Sequence, residues 1–218
     1  MTSPAAPRRP PRATAAPRAW QRMLSGRRLD LLDPSPLDIE IEDIAHGLAR
    51  VARWNGQTLG PEIFSVAQHS LLVDHLAGRL APQAGRRTRL AVLLHDAAEY
   101  VIGDMISPFK AVIGDAYRET ERLVLDAVMR RFGLPAPMTK LAQDLAKRAD
   151  RAAAYHEATA LAGFEPGEAQ QFFGAPLPLD AQARALLEPW PVGRTEAAFL
   201  ARFRMLDLPG PLQDEGAA

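Results

Sequence analysis

The chain contains no cysteine. That excludes a disulfide framework, a thiolate metal site and a cysteine nucleophile, so any metal must be held by nitrogen and oxygen. No apolar run approaches the length needed to span a bilayer, which argues against membrane insertion. The H-E-x-x-H pattern of the zinc metalloproteases is also absent. Acidic residues are missing from positions 1–29, where seven arginines stand instead, leaving 19 basic side chains against all 26 acidic ones in the rest. The formal net charge of zero therefore hides an acidic body, and nucleic acid is not the expected main partner.

The opening "MTSPAAPRRPPRATAAPRAW" has no apolar stretch of the kind a secretory signal requires. Its arginines give it a faint likeness to a transit peptide, but it has few serines and its prolines would break an amphipathic helix. We expect residues 1–29 to be a disordered tail rich in Arg, Pro and Ala, and the protein to be cytoplasmic. With 218 residues, 47% hydrophobic and 24% charged, the rest suits one well-filled core. The expected domain runs over 30–207, with a disordered end over 208–218.

Hydrophobic spacing predicts an all-α chain of about six or seven helices. Ile41, Ile44, Leu48 and Val51 share one helical face. After the turn residues of "NGQTLGP", Ser65 is a plausible N-cap for "VAQHSLLVDHLAGRL", which turns His69 inward with Leu72, Val73 and Leu76. A third helix carries "HDAAE" and is expected to end near Gly103. Asp115 opens a fourth, which Gly133 and Pro135 close, and a fifth covers roughly 139–163 with Asp150 among small alanines. Residues 164–194 look loop-rich, either covering a cleft or padding the surface, before a last helix around "TEAAFLARFRML". No strand alternation or internal repeat is evident.

The stretch "RLAVLLHDAAEYVIGDMISPFK" raises the functional question, because an apolar run leads directly into His95, Asp96, Glu99 and Asp104. On an ideal helix the first three lie at about 0°, 100° and 40°, within one arc. An imidazole beside carboxylates suits a divalent ion, and four protein ligands in an octahedral shell would leave two positions for water or a phosphate oxygen. Taken singly, His69 reads as a hydrogen-bonded core histidine, and Asp150 as a partner for Arg148 or Arg151. The joint pattern of one His, a His-Asp pair and one Asp on separate helices, each where a lone charge would be costly, points to a metal.

That order, His69, then His95 and Asp96, then Asp150, resembles the ligand set of the HD-domain metal-dependent phosphohydrolases. Over roughly 37–163 the segments are most similar to the bacterial 5'-deoxynucleotidase branch: "RW" at Arg53 and Trp54, "HSL", "LLHDAAE", "GD" at Gly103 and Asp104, "PFK" at Pro108 to Lys110 and "KRAD" at Lys147 to Asp150. The resemblance implies a helical bundle of HD type in which His69, His95, Asp96 and Asp150 hold one divalent ion: Mn, Co, Fe, Mg or Zn. It implies that Glu99 orients or protonates around the attacking water and that Asp104 fixes that water or contacts substrate. Arg53 would hold the phosphate, and Trp54 would lie against the sugar and disfavour a 2'-hydroxyl. Lys147, one turn before Asp150, could reach a phosphate or serve as a solvated surface charge; Lys110 is a weaker phosphate candidate.

The implied reaction is release of phosphate from nucleoside 5'-monophosphates, deoxyribonucleotides foremost, by a metal-activated water. The partner is then a small nucleotide, and members of this superfamily often form homodimers. Alternatives are a nucleoside triphosphate hydrolase, which needs more cations in the pocket, and a catalytically silent HD module for binding. Gln68 departs from the branch, which tends to have an acid there. His46 has no role in the resemblance and reads as structural or surface; His75 and His156 read as surface or supporting residues.

Overall fold

The computed structural model describes residues 18–106 and 114–208. Nine α-helices lie among them: α1 Ile41–Leu48, α2 Val66–Leu80, α3 Arg86–Leu93, α4 Glu99–Ile102, α5 Asp115–Arg131, α6 Lys140–Ala160, α7 Pro166–Phe173, α8 Ala181–Leu187 and α9 Val192–Asp207. The all-α expectation holds, but the count exceeds six or seven for two reasons. The "HDAAE" helix is broken in two, and the supposedly loop-rich stretch folds two further helices, α7 and α8. Pro166 begins α7 where its missing N–H costs nothing, and the Asp180 side chain caps α8 by accepting from the Ala183 N–H.

The two longest inner helices, α2 and α6, pack on each other, and α3 lies against both. Ser65 caps α2 as its sequence suggests, accepting from the Gln68 N–H, and Thr139 does the same for α6 at Ala142. The core joins Leu72 and Leu76 of α2, Leu90 and Leu93 of α3, Ala149 and Ala153 of α6 and Phe199 of α9. Small alanines let α6 approach closely, which brings Asp150 beside α2.

Composition misplaced the ordered start of the chain. Trp20–Arg22 (β1) and Arg28–Asp30 (β2) form an antiparallel hairpin with Gln21 opposite Leu29. Strands of three residues are too short to show alternation. Leu29 is fully buried, Ser25 is tied to the α1 carboxylate Asp43 through its N–H and hydroxyl, and Trp20 is flanked by the guanidinium groups of Arg18, Arg22 and Arg28. Residues 1–17 and 209–218 of the two expected tails, and Pro108 to Lys110, lie outside the described residues.

Two close approaches lock the frame around the site. A Cβ at Gly47 of α1 would come within 2.7 Å of the Tyr100 carbonyl oxygen, so only glycine lets α1 rest on α4. Asp74 of α2, nearly buried, accepts from Arg89 of α3 at 2.7 Å and from Arg202 of α9 at 2.6 Å. Removing one side of a buried, hydrogen-bonded charge group strands the other. Asp74→Ala is expected to lower unfolding stability by ~3 kcal/mol, measured by urea denaturation; a loss within experimental error would show that the two arginines are satisfied by solvent.

Candidate metal centre

His69 is fully buried, and its two ring nitrogens face different groups. Nδ1 lies 2.5 Å from Oε1 of Glu157, while Nε2 points to Asp150 Oδ1 at 3.3 Å and Asp96 Oδ2 at 3.4 Å. His95 is fixed in the same sense: its Nδ1 lies 2.9 Å from the Val92 carbonyl oxygen, so it carries the proton donated there, and its Nε2 lies 3.2 Å from Asp96 Oδ2. Both Nε2 atoms are buried and make no hydrogen bond. His69, His95 and Asp150 each offer one ligand atom, all within 4.8 Å of one another. Two imidazole nitrogens aimed at a point shared with carboxylates fit a divalent ion.

His69, His95 and Asp150 therefore meet from three places in the chain, α2, the link before α4, and α6, and Asp96 of that link lies beside both rings. The route at "HDAAE" differs from the ideal helix. α3 ends at Leu93, and the N–H groups of His95, Ala97, Glu99, Tyr100 and Val101 bond to the carbonyl three residues back, as in Glu99 to Asp96 at 3.0 Å. In that tighter winding, side chains three apart eclipse, so Asp96 and Glu99 share a face. Glu99 is 3% exposed and lines, with His95 and Asp96, a cavity of about 340 Å³ whose other wall is α5.

Glu157 escaped the sequence reading, yet it is central. It is fully buried and accepts from His69, from Trp54 Nε1 at 3.0 Å, and from Arg53 Nε and Nη2 at 3.3 Å. Burial opposes its charge, but His69 and Arg53 outweigh burial and bring its pKa down to about 2. A signal did exist: Glu157 stands seven residues after Asp150 on one helix, hence on the same face two turns on.

Arg53 is brought to the site but already engaged. Besides Glu157, its Nη1 lies 3.2 Å from Asp104 Oδ2, and its side chain is mostly buried. Burial alone would favour losing its proton; Glu157, Asp104, Asp96 and Asp150 together hold the charge firmly. Asp104 is aimed back by Gly103, whose φ of +79° glycine adopts readily. Trp54 and Asn55 are left-handed, with φ of 56° and 51°, a conformation costing on the order of 1 kcal/mol or more per non-glycine residue. The Glu157 bond and contacts with Phe164 and Phe173, at 5.6 and 6.0 Å between ring centres, hold Trp54 there. Part of the 164–194 region thus buttresses Trp54.

Other expected residues fall elsewhere. Lys147 is exposed and forms no ion pair among the described residues. His46 lines a separate cavity of about 370 Å³ with Asp43 and Tyr100, and its ring faces Glu196 at 3.6 Å. His75 pairs with Asp180 at 2.9 Å, and His156 meets the Leu177 carbonyl at 2.7 Å. Gln68 is fully buried and grips the turn after α8, donating to the Leu186 and Glu188 carbonyls and accepting from the Trp190 N–H. Its departure from the resembled branch thus has a structural reason. No helix among the described residues is long and apolar enough to cross a membrane.

Comparison with known proteins agrees with this geometry. Residues 66–155 match the HD domain, a span that contains His69, His95, Asp96, Glu99, Asp104 and Asp150. The chain is 57% identical over 190 residues to an uncharacterized protein of Rhodobacter capsulatus, covering 87% of this chain and 96% of that one. It is 36% identical over 103 residues to the uncharacterized protein YfdR of Escherichia coli K12, covering 47% of this chain and 52% of that one.

The charges around His69 set how metal uptake depends on pH. Burial and Arg53 disfavour its protonated form, but Glu157, Asp150 and Asp96 prevail and hold its pKa well above the ordinary value. A metal taking Nε2 must expel that proton, so affinity is expected to rise about tenfold per pH unit for each proton released. Calorimetric titration with Mn in buffers of different ionisation enthalpy reads this directly; no proton release would contradict it. Glu157→Gln should weaken metal binding about 10–100-fold, and wild-type affinity in that variant would show that Glu157 does not set the ring.

Proposed function

The chain is an HD-domain protein, a member of a superfamily of metal-dependent hydrolases, and from that premise we propose that it removes phosphate from nucleoside 5'-monophosphates, deoxyribonucleotides foremost. The observation that carries the reading is that ligand atoms of His69, His95 and Asp150 lie within 4.8 Å of one another, with Asp96 beside both rings and Glu99 lining a cavity with His95 and Asp96. His69, His95, Asp96 and Asp150 would hold the ion. When bound, a divalent cation supplies Lewis-acid polarisation of the phosphoryl group and acidifies a coordinated water.

The chain's own residues supply the rest. Glu99 accepts a proton from the attacking water as its oxygen bonds to phosphorus, and the bond from phosphorus to the 5' oxygen breaks. The same carboxyl returns a proton to that leaving oxygen, so the products are a nucleoside and inorganic phosphate.

Arg53 contributes a fixed positive field toward the phosphate while Glu157 and Asp104 hold it in place. Trp54, clamped by Phe164, Phe173 and Glu157, presents a rigid wall against the sugar, and a rigid wall can reject a 2'-hydroxyl. A silent binding module is the weaker reading, because the candidate acid-base residue Glu99 lines the same cavity as His95 and Asp96.

Glu99→Ala should retain metal but lose about 10²–10⁴-fold in turnover. The measurement is release of phosphate and nucleoside from a panel of ribo- and deoxyribonucleoside 5'-monophosphates, with Mn, Co, Mg, Zn or chelator. Equal turnover in variant and wild type would remove Glu99 from the chemistry. No turnover by wild type with any metal would favour the binding module.

A further inference from the structure

The cavity at the metal ligands has a second wall that the proposed reaction leaves unused. Across from His95, Asp96 and Glu99 it is formed by α5, which contributes Arg118, Glu121, Arg122 and Leu125. Arg118 and Arg122 are four residues apart and so lie on one face of the helix. Tyr117 docks this end of α5 to the site, donating to the Gly103 carbonyl at 3.1 Å. Among the described residues that line the cavity, these two arginines are the cations.

We infer that Arg118 and Arg122 form an anion subsite for a second phosphate of the substrate, beyond the phosphoryl group at the metal ligands. The inference rests on the proposed nucleotide reading and extends it from monophosphates to nucleotides bearing a second phosphate. Three observations support it. First, charge: the wall at the metal ligands presents the carboxylates of Asp96 and Glu99, while Arg53, held between Glu157 and Asp104, is not among the residues that line this cavity. An anionic substrate needs cations from elsewhere, and α5 provides them, with Glu121 cancelling part of that charge.

Second, availability: both arginines have exposed partners along the helix itself. Arg118 contacts Asp115, which is fully exposed, at 3.1 Å, and Arg122 contacts the exposed Glu119 at 2.6 Å and the buried Asp126 at 3.0 Å. Exposed pairs contribute little, so a phosphate can replace Asp115 and Glu119 at small cost while Arg122 keeps Asp126, and guanidinium groups bind phosphate oxygens two at a time. Third, room: a water occupies about 30 Å³ in the liquid, so a phosphate of five heavy atoms needs on the order of 100 Å³. The cavity of about 340 Å³ holds more than one.

A second phosphate can extend the 5' chain or sit on the 3' carbon. Both present the same oxygens, so the test carries a 5'-diphosphate and a 3',5'-bisphosphate of deoxyadenosine beside its 5'-monophosphate. The readout is the ratio of kcat/KM for each doubly phosphorylated substrate to that for the monophosphate, in wild type, Arg118→Gln, Arg122→Gln and the double variant. The double variant should lower that ratio about 10–100-fold for whichever arm is the true source, as expected when charge-assisted hydrogen bonds are lost. An unchanged ratio for both arms overturns the inference, and an equal loss on all three substrates assigns the arginines to general attraction instead.

Binding of pyrophosphate and of inorganic phosphate to the Mn-loaded protein, followed by calorimetry, separates this idea from the underlying reaction. Tighter binding of pyrophosphate that disappears in the double variant supports the subsite even if no nucleotide is turned over. Equal, variant-insensitive binding of both anions overturns it even if monophosphates are hydrolysed.

Discussion

A fully buried carboxylate needs partners, and the geometry of this site follows from how Glu157 acquires them. It draws in one imidazole N–H, one indole N–H and one guanidinium. Each partner has a second end, and each second end does something specific. The imidazole turns Nε2 toward Asp96 and Asp150, the guanidinium reaches Asp104, and the indole stands in the tight turn after α1. One charge on α6 thereby positions groups from α2, from the Arg53–Gly56 turn and from the segment after α4. An isolated carboxylate in that position would be untenable, which makes the network cooperative in assembly.

The protein departs from regular structure where chemistry is concentrated. The winding tightens from His95 to Val101, bringing Asp96 and Glu99 onto one face beside the His95 imidazole. Trp54 and Asn55 adopt left-handed backbone, held by aromatic packing from α7 and its preceding loop. Elsewhere, caps, core spacing and the small alanines of α6 agree with one another and with the fold. Local irregularity around the candidate site, in an otherwise consistent frame, is what a functional site is expected to show.

The helices were legible because amphipathic spacing and capping residues are local signals; Ser65, Thr139, Gly133 and Pro135 mark boundaries that the structure keeps. That His69, His95 and Asp150 lie near one another was legible because each carries an ionisable group into an otherwise apolar surrounding. Glu157 was not, since its importance lies in long-range partners, and one more acid near the end of an alanine-rich helix carries no local mark. The hairpin at Trp20–Asp30 was hidden by arginines that serve as rings of charge around an indole. Arg118 and Arg122 look like ordinary surface pairs until α5 is placed across from the metal ligands.

The most direct test of this account is to locate the ion. Anomalous X-ray diffraction from crystals grown with Mn should show one peak bound by Nε2 of both His69 and His95, about 2.0–2.2 Å away, with Asp96 and Asp150 completing the protein ligands. Glu157 should remain on Nδ1 of His69, and Glu99 should stay outside the coordination shell. A peak elsewhere, or His69 turned to ligate through Nδ1, would contradict the claim that Glu157 builds the metal centre.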